Sequence, residues 1–136
     1  MALTRFLRGL TRNRTETRPD HGDPQLRGRR YSVPFQAVWQ AGLAEAHGIL
    51  DEVESDALEG RITGEARTRI FRFVDDVEIH VALDGEGWTR VDLTSASRVG
   101  QGDLGTNRRR IIRFLRRLDR RLEAEGLRTR APETSG

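Results

Sequence analysis

Residues 97–111 read SRVGQGDLGTNRRRI, from Ser97 to Ile111. Gly100, Gly102 and Gly105 make a literal G-x-G-x-x-G, set between a strand-like run and a helix-like run. A dinucleotide-binding turn occupies that place in a βαβ unit, so these residues decide between a parallel nucleotide fold and something else. The fingerprint also needs a second parallel strand ending in an acid that meets the ribose. The acids about 20 residues on are Glu123 and Glu125, and both fall within or at the end of the helical run. The sequence offers no parallel strand after them. A Walker-type phosphate loop fails too, because the chain has no lysine. The stretch is therefore a strand-to-helix corner. Its glycines turn the chain, Asp103 or Thr106 caps the helix, and Arg98 braces the joint against Asp103 or against Asp75/Asp76. What survives of a binding role is a weak anion site. It would combine free backbone N–H groups at Gly100, Gly102 and Gly105 with the guanidinium groups of Arg98, Arg108 and Arg109.

Outward from the corner, the pattern is antiparallel. Val77, Ile79, Val81 and Leu83 alternate with polar residues, and Asp84-Gly85-Glu86-Gly87 is a hairpin turn. Val91 and Leu93 return inward on the next strand. Residues 58–68 alternate as well, with Leu58, Gly60, Ile62, Gly64 and Ala66 on one face. Those small inner residues let another element approach closely. Residues 49–54 form a further short strand, turned at Ser55-Asp56, and residues 29–33 another. Ser32 and Pro34 suit a helix start, and Phe35, Val38, Trp39, Leu43 and Ala46 mark its core face, over residues 34–47, with Gly48 as the stop. A second helix is expected over 107–125, with Ile111, Phe114 or Leu115, Leu118 and Leu122 inward and Gly126 ending it. The fold class is α+β, in the order β-α-β-β-β-β-α. It comprises a single antiparallel sheet of about five strands with two helices, a helix-grip-like arrangement.

The domain limits follow. Residues 1–28 read as a flexible N-terminal segment, 29–126 as the single α+β domain, and 127–136 as a polar tail. Within the first segment, Leu3, Phe6, Leu7 and Leu10 fall at helical spacing among Arg5, Arg8 and Arg12. That is a cationic amphipathic pattern. It either frays, covers an apolar edge, or docks on a membrane or partner.

Composition narrows the chemistry. The chain has 136 residues and no cysteine, so disulfides, thiolate metal sites and thiol nucleophiles are excluded. Without lysine, Schiff-base catalysis is excluded as well. Charge is segregated: residues 1–30 carry net +5, residues 31–97 net −8, and residues 98–136 net +6. Basic ends flanking an acidic middle mean that much of the arginine is answered within the fold. The N-terminus lacks a long apolar core and a cleavage pattern, which points to the cytoplasm, with peripheral contact to the inner membrane through residues 1–14 as an option.

No candidate catalytic site stands out. His21, His47 and His80 have no metal-ligand spacing, and no metal or cofactor is expected. Asp75 and Asp76 are the best carboxylate pair, but strand neighbours point to opposite faces and do not share a proton. One is expected in solvent and the other on an arginine. Ser95 and Ser97 share a strand face without a local histidine to activate them. Trp39 reads as core, and Trp88 as an exposed contact or a cap on the sheet edge. The arginine-rich second helix invites nucleic acid, but few aromatics and an acidic middle weigh against it.

Phe71-Arg-Phe-Val-Asp75-Asp76-Val, then Ser95-Ala-Ser97-Arg98-Val-Gly100, then Asp103-Leu-Gly105-Thr-Asn107-Arg-Arg-Arg-Ile111 resemble the domain-of-unknown-function family DUF1499. The resemblance spans residues 29–121. It implies a bacterial or plastidial protein with no established activity. It makes Asp75, Asp76, Ser97, Asp103 and Asn107 motif residues. The family pattern has a serine where this chain has Gly102, so the glycine fingerprint is no family motif. The leading functional expectation is a small non-enzymatic module that meets a partner protein or a membrane surface through its arginine-rich ends. The alternatives are a hydrophobic-ligand carrier of helix-grip type and an enzyme built on Asp75, Arg98 and Asp103.

Overall fold

The computed structural model describes residues 14–68, 73–98 and 104–126. In chain order it has β1 (Arg14–Glu16), a short 3-10 turn (Pro24–Leu26), β2 (Arg29–Tyr31), α1 (Phe35–Ile49), β3 (Asp51–Asp56), β4 (Arg61–Arg67), β5 (Val74–Leu83), β6 (Thr89–Ser97) and α2 (Leu104–Ala124). All six strands form one antiparallel sheet, ordered β1-β6-β5-β4-β3, with β2 also on β6. The α+β class, the two helices and the antiparallel sheet are as the sequence pattern requires.

The sheet has six strands, not about five, because Arg14–Glu16 pairs with Ala96, Ser95 and Thr94 of β6. Arg14–Glu16 thus lies in the sheet, ahead of residue 29 where the sequence pattern sets the domain start. β1 and β2 share one edge of β6, and the chain between them loops out and back. Thr17 holds that loop: its N–H donates to the Leu93 carbonyl, its hydroxyl donates to Asp92, and the Leu93 N–H donates to its hydroxyl. Leu26 then enters the core.

Other boundaries move for local reasons. α1 runs through Gly48 and stops at Leu50, which turns extended while its N–H still bonds the Ala46 carbonyl. Pro34 stands at the cap and not in the first turn, and no side chain caps this helix. β3 starts two residues later than expected. β4 starts at Arg61, since residues 57–60 are turn, and Leu58 is fully exposed and not on the inner face. Gly64 does mark a close approach: a Cβ there would come within 2.9 Å of the Leu50 side chain. α2 begins at Leu104, three residues before Asn107. Gly105 and Thr106 are thus helical, and Thr106 is not the cap. Gly126, with φ 77°, ends α2 as expected.

Both helices cover one face of the sheet. α1 packs over β5, β4 and β3, and α2 packs over β6 and β1. Between them lie Ile62, Val77, Ile79, Val81, Val91 and Leu93 of the sheet, Val38 and Trp39 of α1, and Ile111, Phe114, Leu115, Leu118 and Leu122 of α2. Trp39 is core, as its spacing implies, and stacks on Phe35 with ring centroids 5.8 Å apart. Trp88 lies half-buried under Arg30, whose guanidinium is 4.7 Å from the ring centroid.

Candidate functional site

The motif residues converge where β5 and β6 meet the start of α2, and they do so on both faces of the sheet. On the helix face, Arg110 donates to Asp75 (2.8 Å), to the Ser95 hydroxyl (3.0 Å) and to Asn107 Oδ1 (3.0 Å). Ser95 donates to the same Asn107 oxygen at 2.7 Å, and the Asn107 amide donates to Ser97 at 3.1 Å. Asp75, Ser95, Ser97 and Asn107 are all buried. On the outer face, Arg98 donates to both oxygens of Asp76 and to Glu65, the cross-strand neighbour of Asp76. These two buried carboxylates push the Arg98 guanidinium further up and keep it charged.

One expectation needs correction. Neither carboxylate of the Asp75-Asp76 pair is in solvent, because strand alternation gives each its own arginine on its own face. Of the partners expected for Arg98, Asp76 is the one it bonds among the described residues. Of the alternative set Asp75, Arg98 and Asp103, the first two lie on opposite faces of the sheet, each in its own ion pair. Gly100, Gly102 and Asp103 lie outside the described residues. Arg98 and Arg108 are both engaged with carboxylates, so the corner's cations are answered from within. The interior under α2 is filled by Phe114, Leu115, Leu118 and Leu122, each at most 1% exposed. A carrier cavity gains no support there.

The unanswered charge lies on the far side of α2. At about 100° per residue, the helix has four sides. Ile111, Phe114, Leu115, Leu118 and Leu122 face the sheet. Arg110, Arg117 and Arg121 form one flank, where Arg117 and Arg121 clamp the buried Glu45 of α1 at 2.7 and 2.6 Å. Burial alone would push the Glu45 carboxyl up, but hydrogen bonds from Arg121 and Arg117 outweigh it and hold the carboxyl below its usual range. Arg108 and Asp119 form the other flank. Arg108 bonds Asp23 and Gln25, and Asp119 accepts from Arg29 and from the buried Tyr31 hydroxyl. Tyr31 is pushed up by burial and by the Asp119 charge, so its hydroxyl stays a donor.

The fourth side, opposite the apolar face, carries Arg109, Arg113, Arg116 and Arg120, all exposed. Arg109 bonds Thr106. Arg113, Arg116 and Arg120 have no carboxylate of a described residue within ion-pair distance. The stripe is about 16 Å long at 1.5 Å per residue. It borders a groove of about 390 Å³ lined also by Gln25, Arg108 and Ile112. The sequence pattern points instead to Arg98, Arg108 and Arg109 as the anion-binding cations. The 4-3-4 spacing from Arg109 to Arg120 was the signal for the exposed stripe, and it is read by setting the arginines against the apolar residues of the same helix.

Elsewhere, His80 sits on the outer face 3.4 Å from Glu78, whose hydrogen bond raises its pKa. Among the described residues, no group of three or more His, Cys, Asp or Glu could hold a metal ion, and no helix is long and apolar enough to cross a membrane.

Fold and site together define a small α+β domain with an internally neutralised motif corner and a cationic outer helix face. The chain belongs to the family described as Protein of unknown function (DUF1499), whose model matches residues 10–118. That match starts before β1, in keeping with the place of Arg14–Glu16 in the sheet. No curated protein matches the chain.

Proposed function

We propose that this chain is a non-catalytic peripheral module that seats the outer face of α2 on an anionic membrane surface. The observation that carries this is the stripe of Arg113, Arg116 and Arg120, exposed and without an ion pair to a described residue, on a helix where Arg108, Arg110, Arg117 and Arg121 are bonded to carboxylates. Near a bilayer rich in anionic lipid, each arginine contributes about 1 kcal/mol. Three or four give weak, reversible, salt-sensitive attachment. Residues 1–14 are cationic and amphipathic in sequence and would add an apolar contact.

Flotation of the full chain with phosphatidylcholine vesicles, with and without phosphatidylglycerol, tests this. Co-flotation only with the anionic vesicles, abolished in R113E/R116E/R120E, is expected. Absence from both kinds of vesicle sinks the proposal.

A further inference from the structure

We propose that the groove beside α2 takes a phosphomonoester group in preference to a phosphodiester. This rests on α2 being the anion-binding face and goes further by naming the chemistry of the anion. The groove is lined by five arginines, Gln25 and Ile112, with no carboxylate. The acceptors at its rim are already used. Asp23 accepts from Arg108 Nε at 2.8 Å and from the Gln25 N–H at 3.0 Å, while Gln25 Oε1 accepts from Arg108 at 2.6 Å. What faces the open space is donors: the guanidinium groups of Arg113, Arg116 and Arg120, and the Gln25 amide nitrogen. Such a surface is complementary to a group that only accepts.

Charge selects among acceptor-only groups. Arg108 is neutralised by Asp23, which leaves three unanswered guanidinium groups around one recess. A carboxylate or phosphodiester brings one negative charge and two free oxygens. A phosphomonoester brings three oxygens and, above its second ionisation at about pH 6, nearly two charges. Planar guanidinium forks match those oxygens bidentately. Ile112, 9% exposed, is the apolar residue of the lining.

The test uses the full chain and vesicles of phosphatidylcholine with either phosphatidate or phosphatidylglycerol, matched for surface charge. At pH 8, binding to phosphatidate vesicles is expected to be about tenfold tighter, a difference of about 1.4 kcal/mol, and the gap should close towards pH 5. R116Q should bring the ratio close to one, while R67Q, which removes the same charge from the outer face of the sheet, should leave it. Displacement by soluble glycerol 3-phosphate would show that a free phosphomonoester suffices. Retained preference without displacement would place the ligand on the lipid headgroup. Equal binding to the two charge-matched vesicles overturns the preference and leaves membrane attachment standing, as does an equal effect of R116Q and R67Q on the ratio. Absence of binding to both removes the attachment itself, and the preference with it.

Discussion

At the scale of single residues, buried carboxylates hold this protein together. Glu45 shows the asymmetry of such a pair. Its carboxylate is 4% exposed, whereas Arg117 and Arg121 reach solvent. Removing the acid leaves two arginines that can rehydrate. Removing both arginines leaves a charge stranded between α1 and α2. E45A should therefore cost about 1–2 kcal/mol, and R117A/R121A about 3 kcal/mol, a difference read as several degrees in thermal unfolding. The opposite ranking would show that packing of the arginine stems, not the buried charge, is what matters. The pH dependence follows from the same clamp. The folded pKa of Glu45 lies below its ordinary value of 4.5. Its stabilisation is thus fully present above about pH 4.5 and is lost as pH falls through the folded value. E45Q should lower the neutral plateau and flatten the acid limb, so that its stability converges on that of the unaltered chain at low pH.

At the scale of elements, α2 divides its arginines between structure and surface. On the stripe, Arg113, Arg116 and Arg120 repel one another at i,i+3 and i,i+4, which costs a few tenths of a kcal/mol per pair. R116E should leave stability unchanged or raise it by up to about 0.5 kcal/mol, measured by urea titration, while weakening vesicle binding. A loss above about 1 kcal/mol would make Arg116 a structural residue. The inward face of this helix was legible in the sequence, because Ile111, Phe114, Leu115, Leu118 and Leu122 follow its period. Its start was not. Gly105 reads locally as turn, and what anchors the first turns is Asn107 reaching back to Ser95 and Ser97, a contact between elements. Which of the candidate partners takes Arg98 was not legible for a related reason. Asp76 and Arg98 share a face only because β5 and β6 pair Asp75 with Ser97, and a register between strands is not written in either strand alone. β1 escaped notice because three residues carry no alternation, and its partner lies some eighty positions away in β6.

At the scale of the whole molecule, the two edges of the sheet are handled differently. β3 is an open edge, bulged between Asp51 and Glu54, with Glu52 at φ 53° and the acids Asp51, Glu52, Glu54 and Asp56 exposed. Bulge and like charge both discourage pairing with another chain. On the far side, β6 is covered by β1 and β2, with residues 17–28 between them. The acidic edge and the cationic face of α2 thus lie at opposite sides of the sheet, which orients the molecule on any anionic surface. Whether residues 14–28 are structural decides where the domain begins. A chain starting at Arg29 would lose β1, the Thr17 bonds to Asp92 and Leu93, the buried Leu26 and the Asp23 partner of Arg108. It would bare the backbone of β6 from Leu93 to Ala96. Burying Leu26 alone contributes about 1.5–3 kcal/mol. The truncated chain should therefore unfold at least 10 °C lower, by roughly 4–8 °C per kcal/mol, and should self-associate through the uncovered strand in gel filtration. An unchanged midpoint with a monomeric profile would return the boundary to Arg29 and reduce β1 to an accessory strand.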